Sequence, residues 1–279
     1  MPRHRLRIAY EGTCFHGWQR QFVRAESAPS ASVVDRETGR AGFVELRTVQ
    51  WAIGEAVFEV FRERAHVQGA SRTDAGVHAR AQTAAFSVSG ERGPSDERVA
   101  MALNSRLPSD VLVTACERVG EGFDPIAACE SKGYRYTVVS SPVRPLWDRR
   151  TVYHVREDLD VGAMREAGSM LVGEHDFAGF AQAKHGREST VRRVHACDVG
   201  DEPRAWGGRT VWIDISGDGF LYNMVRIIAG TLVEVGRGRM SVERVREALE
   251  RGDRRLAGPT LGPAGLCLMW MRYGAGCAR

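Results

Sequence analysis

The sequence predicts an α+β protein of two related halves, with mainly antiparallel sheets flanked by helices. Strand-like and helix-like segments alternate along the 279 residues. Several neighbouring strands are joined too briefly for the crossover that a parallel pair needs. The rhythm of the first half then recurs in the second. These observations place an N-terminal half over residues 1–127 and a C-terminal half over 128–279, with the division near residues 125 to 130.

In the first half, "RLRIAYEG" alternates Leu6, Ile8 and Tyr10 against Arg5, Arg7 and Ala9, the pattern of a half-buried strand. Residues 24–42 hold small and charged residues with no sustained period, and read as a long, exposed, peripheral loop. Thr48 is placed to cap a helix whose apolar residues Val49, Ile53, Val57 and Phe61 recur every fourth position. "HVQGAS" and "QTAAFSV" read as short strands around a turn. Ser95 is placed to cap a helix that runs through Asn104 and is stopped by Pro108, and "DVLVTACERV" reads as the next strand.

In the second half, "KGYRYTVVS" reads as a strand with Tyr134, Tyr136 and Val138 on one face. Asp160 caps a helix carrying Met164, Gly168 and Leu171, ended by Gly173. "TVRRVHACDV" and "RTVWIDISG" read as paired strands. "FLYNMVRIIAGTLVEVG" reads as a long apolar helix closed by Gly236. Ser241 opens another helix, and "GLCLMWMRY" is the last strand.

Composition narrows the class. Apolar content of 43% and charged content of 27% fit a globular chain with a sizeable core. No apolar run approaches the roughly 18 residues of a membrane span. "MPRHRLRIAYEG" lacks an apolar signal core, so a cytoplasmic location is expected. The six cysteines are scattered without a C-x-x-C pair, which predicts reduced, mostly buried thiols. The formal net charge is +4, and Lys132 and Lys184 are the only lysines. An arginine-dominated surface suits phosphate contact and base stacking, but codon bias produces the same composition. There is no Walker loop, no dinucleotide glycine fingerprint and no H-E-x-x-H, so nothing supports a nucleotide cofactor or a catalytic zinc.

The segment "GASRTDAGVHARAQTAAF" sets Arg72, Thr73 and Asp74 directly before Ala75-Gly76. Asp74 reads in two ways: as a turn residue bonding nearby amides, or as an ionised carboxylate presented to a substrate. Arg226 stands inside an otherwise apolar helix, so its guanidinium either snorkels out or pairs with a carboxylate, for which Asp74 is one candidate. Tyr134 and Tyr136 fit a core strand or a stacking surface for an extruded base. His175 and Asp176 in "GEHDF" read as a helix-terminal turn rather than a metal site. "HGWQRQ" fits RNA contact, or packing by Trp18.

Taken in order, "YEGTCFHGWQRQ", "GASRTDAGVHARAQTAAF", "ALNSRLPSDV", "KGYRYTV", "GEHDFAGF", "GFLYNMVRIIAGTLVEVG" and "AGLCLMWMRY" resemble the tRNA pseudouridine synthase A family over nearly the whole chain. The resemblance implies the pseudouridine synthase fold and a homodimer with tRNA bound across both subunits. It implies no metal or organic cofactor. The implied activity is conversion of uridine to pseudouridine in the anticodon stem-loop of tRNA, typically at positions 38 to 40. By position, Asp74 matches the family's nucleophilic aspartate and Arg226 the arginine that pairs with it. Arg72 matches an arginine that contacts the RNA and helps hold the extruded base. Tyr134 matches the tyrosine that packs on the uracil, and Leu266 an apolar pocket residue. Ser71 stands where many members have glycine, and the loop at 24–42 is longer than usual. A non-catalytic RNA-binding protein on the same scaffold is the alternative. A hydrolase using Asp74 as base lacks the accompanying acid, metal or histidine.

Overall fold

The computed structural model describes residues 1–29, 32–35, 41–89, 92–182 and 188–274. The fold is α+β, with mainly antiparallel strand pairs. The chain divides into two compact units. The first comprises Met1–Glu130 and the chain from Leu268 onward; the second comprises Ser131–Cys267.

In the first unit, β1 (Arg3–Tyr10) runs antiparallel between β6 (His78–Ser87) and β7 (Val111–Val119). Leu6, Ile8 and Tyr10 are buried while Arg7 faces out, as the alternation predicts. The two-residue strand β5 (Gln68–Gly69) and the last strand, β13 (Leu266–Tyr273), both pair with β6. Helix α1 (Val49–Phe61) starts where Thr48 accepts a hydrogen bond from the Trp51 N–H at 3.3 Å, and it buries Val49, Ile53, Val57 and Phe61. Ser95 does not cap a helix with its side chain. A 3-10 turn at Asp96–Arg98 comes first, and α2 begins only at Val99 and ends at Asn104.

The segment expected to be a long exposed loop is structured over much of its described length. Strands β2 (Phe22–Arg24), β3 (Val33–Asp35) and β4 (Phe43–Leu46) form a separate sheet in the order β2-β4-β3. Val44 and Leu46 give β4 a buried face, and the buried Glu45 carboxylate receives Arg20 through Nε and Nη2, the latter at 2.7 Å. Residues 30, 31 and 36–40 lie outside the described residues.

In the second unit, β8 (Cys129–Ser140), β10 (Gly173–Asp176), β11 (Val191–Pro203) and β12 (Arg209–Gly217) run in the order β10-β11-β12-β8. Strand β9 (Tyr153–Val155) adds parallel to β8. "GEHD" is therefore a strand and not a helix-terminal turn. Helix α3 (Val161–Ser169) is capped by Asp160 Oδ1, which accepts from the Ala163 N–H at 2.9 Å. Helix α5 (Val242–Arg251) is capped by Ser241.

The apolar helix α4 spans Met224–Gly236, shorter at its start than the apolar run suggests. Asn223 precedes it with a left-handed backbone, φ 60°. Gly236 is the last helical residue, not a left-handed cap, and serves packing: a Cβ there would lie 2.7 Å from Met164 Sδ. Among the described residues no helix is long and apolar enough to cross a membrane. Of the five described cysteines only Cys197 is buried; Cys14 is exposed and the rest are intermediate, so the expectation of mostly buried thiols fails.

Candidate active site

Asp74 lies between β5 and β6, half-buried, with Arg72 exposed two residues before it. The chain reverses at Ala75-Gly76, where the Val77 N–H donates to the Asp74 carbonyl at 3.1 Å. Gly76 has φ +79°, the value that the third position of a type II turn demands and that glycine adopts without steric cost. The backbone of Asp74 thus closes the turn.

The turn is held from behind by the segment that follows β1. The Tyr10 and Thr73 hydroxyls lie 2.7 Å apart in a buried setting. The Trp18 N–H donates to the Thr73 carbonyl at 3.0 Å, and the Gly76 N–H to the Phe15 carbonyl at 3.3 Å. The Gly12 N–H donates to His78 Nδ1 at 3.0 Å, which makes Nδ1 an acceptor and leaves the ring proton on Nε2. On the other flank, Gln82 exchanges two hydrogen bonds with the backbone of Ser71, at 3.2 and 2.6 Å.

The approach is close enough to require glycine. A Cβ on Gly12 would stand 2.0 Å from the Val77 carbonyl oxygen, and one on Gly17 2.7 Å from the Thr73 carbonyl oxygen. "YEGTCFHGW" is therefore a clamp for the aspartate turn. Trp18 is a packing residue, 2% exposed, lying against the bare Cα of Gly69. Gly12, Gly17, Tyr10 and His78 were not singled out from the sequence. The signal for them was two glycines in a segment remote from the turn that they serve.

The other three site residues belong to the second unit. Tyr134 on β8 is buried and meets the Phe220 ring edge-on, with centroids 5.4 Å apart. Two residues along the same face, Tyr136 is fully buried and donates through its hydroxyl to the Gly262 carbonyl at 2.6 Å. Burial, and to a lesser degree neighbouring Tyr153, push this hydroxyl well above the ordinary tyrosine range, against the opposing charge of Arg226, so it stays neutral. Leu266, at the start of β13, is buried, and the preceding Gly265 lies against the Tyr136 ring, where a Cβ would come within 2.7 Å.

Arg226 is half-buried on α4. Its Nε donates to the Leu261 carbonyl at 2.8 Å, and its Nη1 to Asn223 Oδ1 at 2.7 Å. The Leu261 N–H returns a bond to the Arg226 carbonyl at 3.3 Å. The run from Leu261 to Leu266 thus gathers Arg226, Tyr136 and Leu266. His175 and Asp176 are used locally: His175 Nε2 lies 3.0 Å from the Val172 carbonyl, and Asp176 accepts from the Ala178 N–H at 2.9 Å.

Residues 9–125 and 167–274, most of the chain, match the family model described as tRNA pseudouridine synthase, and the matched stretches hold Asp74, Arg226 and Leu266 but not Tyr134. The chain belongs to the tRNA pseudouridine synthase family. Within it, the chain is similar to the tRNA pseudouridine synthase A of Pelobacter propionicus, 39% identical over 269 residues that cover 96% of this chain and 98% of the relative. It is also similar to the tRNA pseudouridine synthase A 2 of Clostridium perfringens, 36% identical over 273 residues covering 98% of this chain and all of the relative. The tRNA pseudouridine synthase A of Brevibacillus brevis is 39% identical over 273 residues, 97% of this chain and 98% of the relative. The family model thus takes in the aspartate turn, α4 and β13, while β8 falls between its two matched stretches.

Proposed function

We propose that this protein is an isomerase that converts uridine to pseudouridine in the anticodon stem-loop of tRNA, at positions 38 to 40. The observation that carries the reading is the clamped turn of Asp74 in a chain of this family. In the reaction, the bond from uracil N1 to ribose C1′ breaks and one from C5 to C1′ forms. C5 loses a proton and N1 gains one, so atoms and electrons balance without an oxidant or an added cofactor.

Such a reaction needs an ionised carboxylate in a fixed place and a pocket that keeps the detached base. Asp74 is assigned the first role, with Arg226 as the partner that keeps it charged and oriented. Tyr134 and Leu266 are assigned the base face, and Arg72 the RNA beside it. The target nucleotide has to leave its stack, which costs a few kcal/mol. Arginine contacts to phosphates offset that cost and set the register without reading sequence. A homodimer acting on tRNA in the cytoplasm completes the proposal.

The test is pseudouridine mapping of unmodified tRNA transcripts incubated with the purified protein. The expected result is new pseudouridine confined to positions 38 to 40. Tight tRNA binding without any pseudouridine would favour the non-catalytic RNA-binding alternative and overturn the assignment.

A further inference from the structure

Asn223 stands just before α4, where a short polar side chain ordinarily accepts a hydrogen bond from an amide of the first helical turn. It does not do so: its backbone is left-handed, φ 60° and ψ 5°, and its side chain makes no cap hydrogen bond. The carboxamide turns instead to Arg226, whose Nη1 donates to Asn223 Oδ1 at 2.7 Å. Because a guanidinium only donates, this contact fixes which end of the amide is oxygen. Asn223 Nδ2 is then free to donate to Gln182 Oε1, as it does, and the Gln182 N–H in turn bonds the Tyr222 carbonyl at 3.4 Å.

We infer that Asn223 is a positioning residue for Arg226, braced by Gln182, and that it sets the plane of the guanidinium for the isomerisation. Acceptors at two different nitrogens, the Leu261 carbonyl at Nε and Asn223 Oδ1 at Nη1, define the plane of the fork. Both acceptors are neutral, so they orient the charge without neutralising it. Forgoing a helix cap to hold a neighbouring arginine breaks a local rule, as functional sites commonly do. The inference rests on the role proposed above for Arg226.

Asn223→Gly is the decisive variant, since glycine keeps the positive φ and deletes only the carboxamide. We expect kcat to fall about tenfold or more, as for other small misplacements of a catalytic group, with KM for tRNA and the melting temperature near those of the parent. Gln182→Ala, at an exposed position, should lower kcat in the same direction but less. In an Arg226→Lys background, which lacks the planar fork, Asn223→Gly should have little further effect. Parental kcat in Asn223→Gly, a loss confined to KM, or the same fold-loss in both backgrounds would overturn the inference. Should Asn223→Gly fold poorly, parental kcat in Gln182→Ala decides against it. A fully active Arg226→Leu would sink the proposed role of Arg226 itself, whereas an inactive Arg226→Leu beside a fully active Asn223→Gly would sink only this inference.

Discussion

The hydroxyls of Tyr10 and Thr73 lie 2.7 Å apart, and through them the end of the first strand holds the residue immediately before Asp74. Tyr10→Phe removes one partner and leaves the Thr73 hydroxyl buried with a lost bond, a loss of about 1–2 kcal/mol. We expect the melting temperature to fall by about 2–8 °C, at about 2–4 °C per kcal/mol for a domain of this size. Pseudouridine formation should slow severalfold while tRNA affinity is kept. A melt together with a rate measurement checks both.

Asp74→Asn preserves the size of the side chain and the backbone bond from Val77 that closes the turn. It removes the carboxylate oxygen to which the nucleophilic role is assigned, and its charge. We expect a folded protein that still binds tRNA by filter assay and forms no pseudouridine after long incubation at stoichiometric enzyme. Appreciable product from a sequence-verified preparation would refute the role assigned to the carboxylate.

Gly12→Ala and Gly54→Ala should have opposite signs. At Gly12 the new methyl meets a backbone oxygen 2.0 Å away, and backbone cannot step aside as a flexible side chain can. The expected destabilisation is about 3 kcal/mol, with activity lost because the aspartate turn is displaced. Gly54 sits within α1 with nothing within 4 Å of the added atom, so alanine should stabilise by about 0.5–1 kcal/mol. Urea unfolding of both variants provides the comparison.

Burial pushes the Cys197 thiol up to about 12, with Asp198 and then Asp214 adding to the effect. Burial raises Cys116 to about 12 as well, supported by Asp96 and Glu117. Each group holds its proton more tightly folded than unfolded. The stability linked to it is therefore complete below the ordinary thiol value near 9 and is lost as pH rises toward 12. Urea midpoints should decline over that window, and Cys197→Ala should flatten the decline. Among the described cysteines, a thiol reagent at pH 8 should label exposed Cys14 first and reach Cys197 only on unfolding.

How much of this was legible depended on how local each cause is. Helix α1 was readable because Thr48 and the four-residue repeat of apolar side chains lie within the helix itself. The start of α4 was not, because the apolar run continues through Phe220 and Leu221 while Asn223 breaks the helical backbone. The small sheet escaped because its strands are only three or four residues long, too short to show a period, and the Arg20–Glu45 pair beside it joins residues that are not neighbours in sequence. At the site, Gly76 announced the turn at Asp74. Its clamp was hidden, since Tyr10, Gly12 and Gly17 act on residues some sixty positions further on.

The last strand has a consequence for how the molecule is made. From Leu268 to Tyr273 it lies beside β6, and the Tyr273 hydroxyl donates to the Pro125 carbonyl at 2.9 Å while its ring meets Phe123. A nascent chain that has extruded residues 1–130 therefore presents β6 with an edge that β5 covers only at Ala84 and Ala85. The rest of that edge stays open throughout synthesis of the intervening unit and closes only once the strand ending at Tyr273 has left the ribosome. Completion of the amino-terminal unit is therefore late, and its unpaired edge during that interval is where a chaperone that shields strand edges would act.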